Sequence, residues 1–176
     1  MANLVDRMIR ASKLDVNLYE EVEADQSAMG QAVAVVVISS VAAGIGSIGF
    51  FGIRGLIFGT IGALIGWVIW AFLAYIIGTK LLPEPQTKSD MSEMMRTIGF
   101  AASPGVIRVL AFIPFIGPIL SFVAGIWMLV AMVIAVRQAL DYQSTWRAIG
   151  VCIIGFIVYF VVFALIFSIL GVEPTV

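Results

Sequence analysis

Residues 56–78, LIFGTIGALIGWVIWAFLAYIIG, run without one charged side chain, and apolar stretches of similar character recur at 29–50, 97–136 and 148–170. A hydrocarbon core about 30 Å thick takes about 20 helical residues to cross. Inside it, a helix satisfies every backbone N–H and C=O within itself, and runs of about this length recur along the chain, so almost every residue belongs to one helical bundle. Composition agrees: 61% of the chain is hydrophobic and 12% charged, with a mean hydropathy of +1.09, against about 45–50% and 25% in soluble domains. The expected fold is therefore all-α. It is a polytopic membrane helix bundle of five transmembrane helices over residues 29–171, preceded by a short amphipathic, acidic N-terminal segment over residues 1–28. No separate soluble domain fits beside it.

The start, MANLVDRMIR, mixes acid and base and lacks an apolar h-region, so no secretory leader is expected and Ala2 argues against myristoylation. Coiled as a helix, NLVDRMIRASK places Leu4, Val5, Met8 and Ile9 on one arc and Asp6, Arg7, Arg10 and Lys13 on the other, the layout of a helix in the membrane interface. Asp15 is a candidate cap for a second helical turn, with Leu14 stapled against Tyr19.

Lys and Arg fix the expected orientation, because cytoplasmic loops carry their excess. If every span crosses, Arg7, Arg10, Lys13, Lys80, Lys88, Arg96, Arg137 and Arg147 share one face, and Arg54 and Arg108 are left for the other, eight against two of the ten basic residues. The amino terminus is expected in the cytoplasm and the carboxyl terminus outside, in the plasma membrane if the source is prokaryotic.

Helices in lipid associate through close packing at small residues. Gly55, Gly59, Gly62 and Gly66 form one smooth stripe on the second span. Similar faces run through Gly117, Ser121, Ala124, Met128, Ala131 and Ala135, and through Ala32, Ser39, Ala43 and Gly46. Two readings stay open for the glycine stripe, packing inside the bundle or a contact with another chain or a second copy. Residues 103–118, SPGVIRVLAFIPFIGP, carry three prolines and one charge. Pro104 deprives the Phe100 carbonyl of its helical donor, so the third run is expected to bend there, with Ser103 available for a hydrogen bond. Pro114, Gly117 and Pro118 read as a tight turn, with Pro118 in the first turn of the next helix. Residues 97–136 form either a crossing hairpin or a re-entrant loop, their length favouring the hairpin. Arg108 either snorkels to the outer headgroups or stands as a functional charge in a cavity.

The inventory argues against catalysis. The chain has no histidine, and no Asp, Glu or Lys within a span, so no catalytic residues, metal site or cofactor are expected. The one cysteine, Cys152, lies among apolar residues and reads as a small buried side chain. Sparse basic residues argue against nucleic acid. The expected partners are the lipid bilayer and other membrane proteins. The acidic run gives Tyr19, Glu20, Glu21, Glu23 and Asp25 as a candidate docking surface for a basic partner. A small channel or carrier using Pro104 and Arg108 is the alternative.

The order of LYEEVEAD, a Gly-rich pair of spans, GFAASPG, the turn FIPFIGP, GIWMLVAMVIAVRQALD and a closing span resembles the Yip1 domain family, in its short, prokaryotic-type, five-span form. That resemblance implies a membrane-organising or accessory subunit. Eukaryotic members bind small Rab-type GTPases, but their DLYGP-type motif is not intact here, since Leu18 and Tyr19 are followed by Glu20 and Glu21. A small GTPase is therefore not carried over as a partner.

Overall fold

The computed structural model describes residues 3–169. Helices α1 (Leu4–Ser12) and α2 (Val16–Ala24) form a preface. Helices α3 (Met29–Gly46), α4 (Ile48–Ile76), α5 (Met91–Ala101), α6 (Ile116–Ala139) and α7 (Thr145–Ile169) form the bundle, and a 3-10 segment, Ser103–Phe112, continues from α5. Among the described residues there is no strand. Four helical stretches, Gln26–Gly46, Phe51–Leu81, Ile116–Ala139 and Thr145–Val162, are long and apolar enough to cross a membrane. Bulky residues such as Phe58, Ile65, Phe122 and Phe160 stand exposed on their outer faces, as lipid-facing surfaces require. The predicted end of the last span and the tail lie outside the described residues.

Local chemistry sets the element ends. Asn3 and Asp15 cap α1 and α2 by accepting from Val5 N and Asn17 N, each at 3.0 Å. Asp90 and Glu93 close a capping box at the start of α5, a pair that fixes a helix N-terminus with about 0.5–2 kcal/mol. Consequently α5 starts within the polar connector, several residues before the apolar run. The link between α3 and α4 is shorter than the charge of Arg54 suggested. Ser47 Oγ donates to the Ala43 carbonyl (2.9 Å), and the true bend is Gly52, at φ 60°. A glycine carries that left-handed conformation without a Cβ penalty, and Arg54 lies on α4 itself.

At Pro104 the α-helix gives way to ten residues of 3-10 helix, supported by Gly105 N donating to Ala102 O (2.9 Å). The predicted role for Ser103 is not seen: its hydroxyl is buried and has no partner among the described residues. Residues 97–112 run beside α3, in the same direction, along most of its length. A Cβ on Gly99 would meet Ala32, one on Gly105 would meet Ser39 and Met128, and one on Gly46 would meet the Arg108 carbonyl and Ala111. The small-residue faces predicted on α3 and α6 are thus packed, with Ala32, Ser39, Gly46, Gly117, Ala124, Ala131 and Ala135 buried. The turn closes with Gly117 N donating to Ile113 O (2.8 Å), Phe115 at φ 65°, and Pro118 in the first turn of α6. There Pro118 lacks a donor that the helix would leave unpaired anyway.

Candidate functional site

Two regions concentrate polar chemistry, one at the preface end of the bundle and one inside it. At the preface end, Arg7 points inward rather than toward solvent. It is 4% exposed and donates to Glu21 (2.9 Å), Gln31 (2.9 Å) and Asp25 (2.7 Å). Arg10 donates to Asp15 (2.8 Å) and pairs with Glu21. Its hydrogen bond, with that of Arg7, holds the Glu21 carboxyl below the ordinary range. The hydroxyl of Ser27 and then Arg7 hold Asp25 down to about 2. The bundle grips the carboxyl ends of both preface helices. Trp127 Nε1 donates to Ser12 O (2.8 Å), and Arg96, 3% exposed, donates to the carbonyls of Val22 (2.9 Å) and Glu23. Those carbonyls have no intrahelical donor, and a cation there also meets the negative end of the helix dipole.

The predicted docking set therefore divides. Tyr19 is fully buried, its hydroxyl donating to Ala11 O (3.3 Å), so it is not a surface residue. Glu21 and Asp25 are spent on fastening α2 to α1 and α3. Glu20 is exposed and accepts from Gln138 (2.8 Å). Glu23 instead faces a polar pocket of about 560 Å³ with Glu20, Glu93 and Asp141. Burial, and then the charges of Asp141, Glu93 and Glu20, push the Glu23 carboxyl up to about 8. Arg137, in the same pocket, directs its guanidinium to the carbonyls of Tyr142 (3.2 Å) and Gln143 (3.3 Å) rather than to a carboxylate. The sequence singles out neither Glu93 nor Asp141. Nothing in their spacing says that they converge on α2.

Connectors 82–90 and 140–144 close the same end. Tyr142 lends its hydroxyl between the carbonyls of Gly78 (3.0 Å) and Leu82 (2.8 Å), and Arg147 donates to Pro83 O (2.7 Å). Glu84 accepts from Gln143 N at 2.9 Å.

Deeper in the bundle, α3, α4, the 3-10 segment, α6 and α7 enclose a mainly apolar slot of about 590 Å³. Gly55, Gly59 and Gly66 form one wall, with Trp67 and Trp70 toward the preface end. Among the described residues nothing packs on the centre of α4 at the stripe: a Cβ on Gly59, in that wall, or on Gly62 would meet nothing within 4 Å. Of the two readings of the stripe, packing inside the bundle is therefore not seen at Gly59 and Gly62, on the long helix with the smallest buried share. Arg108 also lines the slot. Its guanidinium reaches Nη2 to 3.7 Å from the Cβ position of Gly125, nine residues into α6. At 1.5 Å per residue that is about 13 Å from the start of the helix. The guanidinium therefore lies beside Gly125 within the bundle, about that far along α6 from the 113–115 turn. The residue's own carbonyl is pressed against Gly46. Among the described residues no carboxylate pairs with it, and a charge at membrane depth costs about 2.5–3.5 kcal/mol on insertion scales.

Among the described residues no group of three or more His, Cys, Asp or Glu is arranged to hold a metal ion, and Cys152 is buried. Comparison with curated proteins and with solved structures returns no match. The Yip1 domain matches residues 17–166, from the middle of the preface through all four long apolar helices, and this multi-pass membrane protein belongs to the Yip1 domain family.

Proposed function

We propose that the chain is a non-enzymatic organising or accessory subunit that takes a basic segment of another membrane protein into the carboxylate pocket at its preface end. The observation that carries this reading is the pocket's imbalance. Glu20, Glu23, Glu93 and Asp141 face one volume, Arg137 is turned to carbonyls, and the Glu23 carboxyl is raised to about 8 by burial and its neighbours. A Lys or Arg from a partner would relieve that repulsion and steer the encounter. The pocket replaces Tyr19, Glu21 and Asp25 as the docking surface, with Glu20 and Glu23 retained.

The same reading has five crossings, with residues 91–112 as the third, and the preface in the cytoplasm. The excess of Lys and Arg at the preface end supports that orientation. The course of residues 97–112 along α3 supports the crossing.

The test is affinity purification from native membranes with the double variant Glu23→Gln/Asp141→Asn. Asn tolerates the left-handed backbone of Asp141, at φ 53°. A chain that co-purifies with the wild type should be lost from the variant, which should accumulate and resist heat as the parent does. Retention of that chain by the variant, or no partner at all, defeats the docking reading. The carrier alternative is favoured only by the position of Arg108, and saturable solute flux in liposomes abolished by Arg108→Gln would bring it forward.

A further inference from the structure

The slot behind the glycine wall is the wrong shape for a solvent channel and has the wrong charge for an empty lipid groove. Its volume, about 590 Å³, falls within the range of about 300–1,000 Å³ typical of small-ligand pockets. A helix with side chains is about 10–12 Å across, so that volume holds only about one turn of one. The lining is almost all apolar. The hydroxyls of Ser40 and Ser47 bond back to the carbonyls of Val37 (3.0 Å) and Ala43 (2.9 Å), so their protons are not offered to a ligand. One full charge remains, the Arg108 guanidinium beside Gly125, with no counter-charge among the described residues. The inner end is lined by Trp67, Trp70 and Met132, where Trp70 Nε1 donates to Met132 Sδ at 3.1 Å.

From this geometry we infer that the slot binds a single-chain amphiphile with a singly charged anionic headgroup, a long-chain fatty carboxylate in its simplest form. The head group meets the Arg108 guanidinium, and the alkyl chain lies along Gly55, Gly59 and Gly66 toward Trp67 and Trp70. The guanidinium is a planar fork matched to a carboxylate, and one cation calls for one negative charge. The glycines matter because the absence of side chains at those positions is what leaves room for a chain. A solvated inorganic anion would leave the apolar walls unfilled, and a neutral lipid would leave the charge unpaired. Both parts of the slot are used by an anion attached to a hydrocarbon tail.

The probe is dibromostearate, titrated at low mole fraction into vesicles of neutral lipid carrying the purified full chain, with tryptophan emission as the readout. The acid should quench saturably, because bromine on the chain passes close to Trp67 and Trp70. The brominated alcohol of the same length should bind at least tenfold more weakly. Arg108→Gln should weaken the acid at least tenfold and leave the alcohol unchanged, and Arg108→Lys should retain part of the difference. Gly59→Leu fills the slot from a position with no neighbour within 4 Å, and should abolish saturable quenching by both compounds in a protein that still folds. Trp67→Phe/Trp70→Phe should remove the saturable component. Equal affinity for acid and alcohol overturns the proposal. So does saturable quenching that survives Gly59→Leu or the double tryptophan substitution, or quenching that never saturates. If Arg108→Gln fails to accumulate, the acid–alcohol ratio and the Gly59→Leu result decide alone. None of these outcomes depends on a protein partner at the preface end.

Discussion

Glu23 and Asp25 lie two residues apart at the end of one helix, and their environments make stability depend on pH in opposite directions. Glu23 is raised from 4.5 to about 8 by burial and by Asp141, Glu93 and Glu20. Between those values the folded chain binds a proton that the unfolded chain releases, so stability falls as pH rises through that window. Glu23→Gln should therefore improve heat stability in detergent at about pH 8, with the gain fading toward about pH 4.5, where both forms are neutral. Asp25 is lowered from 3.8 to about 2 by Ser27 and Arg7, so its contribution is present above 3.8 and disappears as pH falls toward about 2. Asp25→Asn should lose heat stability at neutral pH and approach the parent at the acid end. A Glu23→Gln gain that persists unchanged to low pH would mean repacking rather than relief of charge. At this scale the sequence was half legible. Its pattern put Arg7 and Arg10 on the polar arc of one helix and Glu21 and Asp25 in a separate acidic run, without joining them into the ion-pair system of the structure. It could not say that the system faces inward, since an amphipathic pattern looks the same whether its polar face meets water or a complementary set of side chains.

Among the elements, the segment after Pro104 departs furthest from what local rules anticipate. A proline break was legible, because proline removes both a donor and the space above the preceding turn. Ten residues of 3-10 helix were not, since runs beyond about 3–4 residues are uncommon and rest on tertiary contact. The contact here is with α3 and α6, against Ser39 and Met128 at Gly105 and against Gly46 at Arg108. The consequence is length. The apolar part of residues 91–112, the last five residues of α5 at about 1.5 Å and ten of 3-10 helix at about 2.0 Å, extends about 28 Å, close to the roughly 30 Å of a hydrocarbon core. Gly105 is the position that permits the approach. Gly105→Val should press on Ser39 and Met128 and lower heat stability by about 1–3 kcal/mol, the usual range for overpacking. Gly125→Ala, whose Cβ would lie in ordinary contact with Arg108 at 3.7 Å, should be close to neutral. Equal tolerance at both sites would show that the 3-10 segment can withdraw from α3. The glycine stripe of α4 teaches the converse lesson. Its spacing gives a smooth helical face, but smoothness does not specify what lies against it, and at Gly55, Gly59 and Gly66 it borders open volume.

For the whole molecule, three separate stretches meet at one end: the preface through Arg96 and Gln138, residues 82–90 through Tyr142 and Arg147, and residues 140–144 through Glu84. Basic-residue counting had put the same three stretches on one side, and the hydrogen bonds join them without reference to charge counting. Between them, residues 91–112 leave this end and α6 returns to it, with the 113–115 turn next to the far end of α3. A re-entrant loop would place that turn within the bilayer, accessible only from the side it entered. A crossing hairpin would expose it on the opposite side. Phe115 is the useful reporter because it is 91% exposed, whereas Gly117 is packed against the Ala111 carbonyl and would perturb the turn. In a Cys152→Ala background, Phe115→Cys should react with a membrane-impermeant thiol reagent from outside intact cells. Lys88→Cys, on the exposed connector, should react only once the cytoplasmic face is opened. If Phe115→Cys reacts only from the side that labels Lys88→Cys, residues 91–139 enter and return without crossing, and α3, α4 and α7 are the three spans that remain. If Lys88→Cys reacts from outside and Phe115→Cys only once the cytoplasmic face is opened, the orientation drawn from the Lys and Arg excess is reversed while the number of crossings stands.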